Sequence, residues 1–275
     1  MAPVPTEADA IAAADGPASA SSLGRDLVAL GVEPGEVLLV HSSLSALGWV
    51  AGGAQSVVAA LLDAVGPTGT IVMPAQSGQL SDPAAWQAPP VPAHWVAPAR
   101  DALPAFDRDL TPSRGMGAVV ECFRALPATV RSGHPTLSFV ANGPAARAIV
   151  ADHPLHPGLG DGSPLGRLHD LGAHVLLLGV GHHANTALHL AEHRADWPGR
   201  RDVDHGAPVL VDGQRRWVAY RDLDLDTDDF EAVGLAFEAT GRHREGPVGS
   251  GRGRRYPLVE LVDFATTWFT QHRGR

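Results

Sequence analysis

Four residues whose side chains can move protons or bind metal follow one apolar run. His189, Glu192, His193 and Asp196 fall at i, i+3, i+4 and i+7, one face of a helix, opposite Leu188, Ala191 and Ala195. A polar stripe of this kind is often only the solvated side of an amphipathic helix. Two chemistries compete with that reading. His189-Leu-Ala-Glu192-His193 fits H-x-x-E-H, in which the two imidazoles hold zinc and the Glu is the general base of a hydrolase. A chain with 14 His meets so short a pattern easily by chance. Alternatively His189 alone, just beyond the end of a strand and oriented by a carboxylate, works as a general base. The spacing does not choose between them.

A second polar group, His41-Ser42-Ser43-Leu44-Ser45, lies where an apolar run ends, with Gly48, Gly52 and Gly53 close behind. Hydroxyls and exposed backbone N–H groups there suit a pyrophosphate or a chain of amides, although such turns are more often plain connections. Asp161-Gly162-Ser163-Pro164 offers another helix start of the same character. Gly179-Val-Gly181 lacks the third glycine of a dinucleotide fingerprint, and no Ser occupies a G-x-S-x-G elbow. Acidic residues gather at Asp222, Asp224, Asp226, Asp228 and Asp229. A calcium loop counted from Asp222 needs Gly and Glu where Thr227 and Val233 stand, so the run is a solvated segment or a lure for a polyamine.

The elements that must position these groups alternate. Helical spacing of Leu23, Leu27 and Leu30 after a cap at Ser21 leads to a buried strand, Val37-Leu-Leu-Val40, then a helix through Val57, Leu61 and Val65, then a strand, Thr70-Ile-Val-Met73. Residues 74–114 lose periodicity and accumulate Pro, but Trp86, Trp95 and Phe106 give them apolar surface to pack, which argues for a functional loop. Helices are expected near Val119–Phe123, at 144–150 and from Ser163; strands at 137–140 and 175–180. A hairpin turns at Asp212-Gly213, and helices at 230–240 and 257–271 finish the chain. The pattern predicts an α/β fold, its sheet at least partly parallel, with ligand sites at the carboxyl ends of strands.

Composition narrows the partners. The 275 residues carry a formal net charge of −9, which disfavours nucleic acid and favours a cationic small molecule. Every basic residue other than His is Arg, so no Schiff-base or P-loop lysine is available. Cys122 is the only cysteine, too few for a disulfide or a multi-cysteine zinc site. No run approaches the roughly 20 apolar residues of a membrane span. Residues 1–20, rich in Ala and Pro but holding Glu7, Asp9 and Asp15, read as a flexible tail and not as a secretory signal, hence cytoplasmic residence, with 21–275 one domain.

Several blocks together resemble the aminoglycoside 3-N-acetyltransferase family. They are Val40-His-Ser-Ser-Leu-Ser-Ala-Leu-Gly48, Val72-Met-Pro74 with Ser77-Gly78 and Asp82-Pro83, Leu110-Thr-Pro-Ser-Arg-Gly-Met-Gly117, Arg131-Ser-Gly-His-Pro135 with Ser138-Phe139, Gly162-Ser-Pro164, Leu176-Leu-Leu-Gly179, Thr186-Ala-Leu-His-Leu-Ala-Glu192 and Gly241-Arg-His-Arg-Glu-Gly246. Their order and spacing, from about residue 22 to the C-terminus, make the match specific. The resemblance implies the antibiotic N-acetyltransferase fold, a mixed central sheet flanked by helices with a long proline-rich loop, unlike the commoner acetyltransferases. It implies direct acetyl transfer from acetyl-CoA to the 3-amino group of the deoxystreptamine ring of aminoglycosides, giving resistance, without metal. His189 would be the base, held by Glu192 or Asp224. His41, Ser42, Ser43, Leu44, Ser45 and Ser163 would line the coenzyme, and Asp82, Asp222 and Asp224 would pair with substrate ammonium groups. Arg114 and His134 stand in matching blocks without assigned chemistry. The runners-up are a zinc hydrolase using His189, Glu192 and His193, and a non-catalytic drug-binding protein; the oligomeric state is left open.

Overall fold

The apolar runs at 37–40, 70–73 and 175–180 become the centre of a parallel array. In the computed structural model, which describes residues 7–12, 14 and 16–274, the path begins with α1 (Glu7–Ala12), α2 (Ala20–Ala29), β1 (Val37–Ser42), α3 (Gly53–Val65) and β2 (Thr70–Pro74). It continues through α4 (Val96–Ala102), α5 (Ala118–Arg124), β3 (Val130–Arg131), β4 (Phe139–Asn142), α6 (Ala146–Val150), α7 (Pro164–Asp170), β5 (His174–Leu178) and α8 (Leu188–Arg194). The remaining elements are β6 (Asp202–Val211), β7 (Gln214–Leu223), α9 (Phe230–Glu238), β8 (Arg244–Val248), β9 (Gly251–Pro257) and α10 (Leu258–His272).

Among the described residues, a seven-stranded sheet runs in the order β3-β4-β2-β1-β5-β9-β8. β1 is parallel to β2 and to β5, with Leu39 beside Val72 and Val175, while β4 and β9 pair antiparallel to their neighbours. The fold is therefore mixed α/β, as expected. Alternation along each strand divides two cores. Leu39, Val72, Val175 and Leu177 pack with α7, α8, α9 and α10, whereas Leu38, Val40, Ile71, Leu176 and Leu178 pack with α2, α3 and α5. Each large side chain so buried is worth about 1.5–3 kcal/mol. Because β1, β2 and β5 point the same way, their carboxyl ends, Ser42, Pro74 and Leu178, share one edge of the sheet.

The β6–β7 hairpin stands apart and turns at Asp212 and Gly213, with φ of 52 and 74 degrees, the left-handed pair that Asp-Gly favours. β8 and β9 escaped the sequence pattern because they form a polar edge. Glu245 is bridged by Arg252 at 2.8 Å and Arg254 at 2.7 Å, and such charges blunt pairing with further strands. Gly253 supplies no periodic signal, yet a Cβ there would come within 2.6 Å of Val248 and 2.9 Å of Leu30.

The loop at 74–114 is packed rather than loose. Asp82 accepts two bonds from Arg100, at 2.9 and 2.7 Å, and caps the turn at Pro83 through the Ala84 N–H; Phe106 is buried beneath the Arg131 guanidinium at 5.0 Å. The boundary expected at residue 21 falls inside α2, whose cap is Ser19, not Ser21. Ahead of it, Ala18 pairs with Val50, and Glu7 accepts the Trp49 indole N–H at 2.9 Å. The part of the expected tail at residues 1–6, 13 and 15 lies outside the described residues. No helix of the described residues is long and apolar enough to cross a membrane.

Candidate active site

At the carboxyl edge of the parallel strands a cavity of about 960 Å³ opens. His41, Ser42, Ser43, Leu44 and Ser45, running from the end of β1 into a short 3-10 turn, all lie on its wall, together with Gln76 beyond β2 and Gly115–Ala118. Thr186 and His189, beyond β5, close it with Thr227 and Phe230. Sequence reasoning had no means of adding Gln76, Thr227 and Phe230, whose residue types carry no chemical signature.

The loop from β5 to α8 is tied on several sides. The His182 N–H donates to Glu231 at 2.9 Å, and the His182 ring lies 3.0 Å from Glu238, which also accepts from the Tyr256 hydroxyl at 2.6 Å. Asn185 Oδ1 accepts the Ala187 N–H at 3.3 Å, a local turn just ahead of α8, whose own N-cap, Ala187, has no side-chain bond. Thr186 donates its N–H to His41 Nε2 at 3.1 Å, so the His41 proton sits on Nδ1. Burial, with His189 close by, pushes the His41 imidazole down to about 3, so it is a neutral group.

His189 sits in the first turn of α8, its ring 4.8 Å from that of Phe230. Its Nδ1 donates to Glu192 Oε2. With Nδ1 engaged as a donor, the lone pair of the uncharged ring is on Nε2, and the residue lies on the cavity wall. Glu192 is fully buried, and its second oxygen accepts from Arg273 Nη1 at 2.6 Å and from the Asp226 N–H at 3.1 Å. Burial alone would raise its proton affinity; the bonds to His189 and Arg273 outweigh burial and hold it below the usual carboxylate range.

This arrangement decides between the two expected supports for His189. Glu192 is the partner; Asp224 is exposed and accepts from Arg201 at 3.0 and 2.8 Å. The reading of this face as merely solvated does not hold at Glu192, which is folded inward, and α8 ends at Arg194, before Asp196. Glu192 accepts three bonds, from His189, Arg273 and the Asp226 N–H, so its carboxylate is turned to the imidazole and to Arg273.

Two further residues singled out in the sequence lie away from the cavity. Ser163 is fully buried, accepts the Leu165 N–H at 3.1 Å as the cap of α7, and lies on the wall of neither cavity described here. Asp82 is likewise off both walls, held by Arg100. Asp222 does line a second cavity of about 540 Å³, which shares Gln76 with the first and is walled by Trp86, Arg114, Leu137, His205 and Tyr220. Its carboxylate accepts from the Gly158 N–H at 2.8 Å, the Leu223 N–H at 2.8 Å and His156 Nδ1 at 3.1 Å. Of roughly four acceptor positions on a carboxylate, one is left.

Burial also lowers His134 to about 4 and His153 to about 3. With His41, these groups stay neutral in the folded protein down to pH values at which the unfolded chain, titrating near 6.5, is protonated. The unfolded state then binds more protons, so stability falls as pH drops below 6.5, and the loss from each group ends near its folded value of about 3 or 4. The slope is roughly 1 kcal/mol per pH unit for each histidine. Urea unfolding at about pH 7 and about pH 5 checks this, and an unchanged midpoint would contradict it.

Comparison with known proteins agrees with the geometry. The family model described as aminoglycoside 3-N-acetyltransferase matches residues 39–270. The SPbeta prophage-derived aminoglycoside N(3')-acetyltransferase-like protein YokD of Bacillus subtilis is 47% identical over 94% of this chain and 95% of its own. Its crystal structure superposes with a TM-score of 0.95, covering 98% of this chain and 99% of that one. Aminoglycoside N(3)-acetyltransferase VII of Streptomyces paromomycinus is 38% identical over 95% of this chain and 94% of its own. The binary complex of AAC-IIIb with CoASH superposes with a TM-score of 0.84 at 34% identity, covering 93% of this chain and 97% of that one. The match runs from β1 into α10 and takes in both the serine turn and the His189–Glu192 pair, so the chain belongs to the aminoglycoside 3-N-acetyltransferase family.

Proposed function

We propose that the protein transfers the acetyl group of acetyl-coenzyme A to the 3-amino group of the deoxystreptamine ring of an aminoglycoside, with His189 as general base, and so confers resistance to the drug. The observation that carries this reading is the His189–Glu192 pair, in which a fully buried Glu192 holds Nδ1 of a ring that lines the cavity.

The cavity suits coenzyme A. Its wall holds two buried polar atoms without a protein partner, Ser42 Oγ and His41 Nδ1, the latter a fixed donor, beside the hydroxyls of Ser43 and Ser45. Amides and the thioester carbonyl of an extended pantetheine are natural partners for such groups. A coenzyme-bound member of the family supports the same choice. The acceptor enters from the second cavity, meeting the first at Gln76, with Asp222 the carboxylate on its wall.

An ammonium cannot attack a thioester. The acceptor binds as the free amine or loses a proton to solvent, and its nitrogen attacks the acetyl carbonyl. His189 Nε2 takes the remaining surplus proton as the C–N bond forms, Glu192 stabilises the imidazolium, and the proton passes to the sulfur as the C–S bond breaks. The products are the amide and free coenzyme A, with no covalent enzyme intermediate.

Mixing the protein with acetyl-coenzyme A and a panel of aminoglycosides should release free thiol in step with a monoacetylated drug, and a chelator should not change the rate. Drug binding without thiol release would contradict the reading and favour sequestration. Activity lost on chelation and restored by zinc would favour a hydrolase-type metal centre.

A further inference from the structure

We propose that Arg273 is a positioning residue of the acetyl-transfer site, fixing the His189 imidazole through Glu192. The proposal rests on the acetyl-transfer reading and adds to it a residue that lies beyond the stretch matched by the family model.

A carboxylate that meets an imidazole through one oxygen is free to swivel about its last bond, and the ring it holds swivels with it. Here the second oxygen is locked. Arg273 Nη1 donates to Glu192 Oε1 at 2.6 Å, and the Asp226 N–H reaches the same oxygen at 3.1 Å. Arg273 is itself held: its Nε donates to Asp229 at 2.7 Å, and its Nη2 to Asp229 at 2.6 Å and to the Asp226 carbonyl at 2.8 Å. The guanidinium plane lies over Phe269 at 4.0 Å, with Trp197 at 5.0 Å. Its side chain is 9% exposed and that of Glu192 is 0% exposed, so the pair works where water screens little.

Arg273 therefore acts on His189 in two ways. It fixes the plane of the Glu192 carboxylate, and it keeps Glu192 anionic, so that Glu192 remains the acceptor of the Nδ1 proton and leaves Nε2 bare. Lysine would keep the charge but cannot reach Glu192 and Asp229 in one plane. A plain staple between the C-terminus and α8 would use the same contacts without touching catalysis, and kinetics separates the two.

The test compares Arg273→Met and Arg273→Lys, each alone and combined with Glu192→Gln, by thiol release with acetyl-coenzyme A and an aminoglycoside. Arg273→Met should lower kcat by about 10- to 100-fold with KM for acetyl-coenzyme A unchanged, and Arg273→Lys should fall between it and the parent. In the Glu192→Gln background, Arg273→Met should cost less than about 3-fold, because the route through Glu192 is already broken. Equal losses in both backgrounds, or a lowered melting temperature with kcat unchanged, would overturn the proposal. A second readout needs no acceptor: the His189 Nδ1–H resonance, assigned by its loss in His189→Ala, should broaden or vanish in Arg273→Met and Arg273→Lys. Its retention at the parent position in either variant overturns the proposal. If the parent protein releases no thiol, it is the acetyl-transfer reading that fails, and the resonance alone decides the role of Arg273.

Discussion

Replacing Glu192 with Gln is expected to lower kcat by about 10³- to 10⁴-fold while leaving the KM for acetyl-coenzyme A essentially unchanged. The substitution is nearly isosteric, so the packing of α8 against α10 survives. What changes is the proton. An amide in place of the carboxylate presents an N–H toward either His189 or Arg273. Arg273 Nη1 can only donate, so the amide oxygen turns to it and the amide nitrogen faces His189 Nδ1. The ring then takes the opposite tautomer, with its proton on Nε2, and shows the acceptor a donor where a lone pair is needed. The charge that stabilised the imidazolium is lost in the same step. Steady-state thiol release with a circular-dichroism control checks this; a loss of less than about 10-fold would mean that Glu192 does not hold the tautomer.

His189→Ala has the second large effect: kcat should fall by about 10²- to 10⁴-fold. The truncation removes a ring that lies against Phe230 on the wall of the open cavity, so it widens that cavity without leaving a sealed void, and the fold should persist. Acetyl-coenzyme A should bind to the variant as to the parent, because its proposed contacts lie on the serine turn. Combined with Glu192→Gln, the loss should be far from the product of the single losses, since the two residues act as one unit. Calorimetry and thiol release on the three variants measure this, and multiplicative losses would contradict it.

How much of this was legible depended on the range of the interactions involved. The central strands were legible because β1, β2 and β5 are buried on both faces and spell apolar runs. His189 stood out because a strand end, a glycine turn and a polar helix face coincide around it, and the family blocks then marked it. The choice of carboxylate was not legible. Glu192 and Asp224 are equally plausible in one dimension, and only the Arg201 bond that occupies Asp224 and the Arg273 bond that anchors Glu192 separate them. Asp82 was lost to Arg100 in the same way, by a partner 18 residues away. Ser163 carried a correct signal for a helix cap, and its hydroxyl is spent on that role. β8 and β9 were hidden because an edge hairpin of Arg, Glu and Gly has no hydrophobic period. Arg273 left no trace at all: a charged residue just past the last helix normally reads as solvated.

The general-base claim is tested most directly by the pH dependence of kcat in the parent and in His189→Ala, measured at saturating acetyl-coenzyme A and aminoglycoside. The parent should show an ascending limb that reaches a plateau once the imidazole is neutral. The variant should lose that limb, its residual rate rising steadily with hydroxide across the range. A His189→Ala profile with the same limb and plateau as the parent would contradict the assignment of His189 as the base.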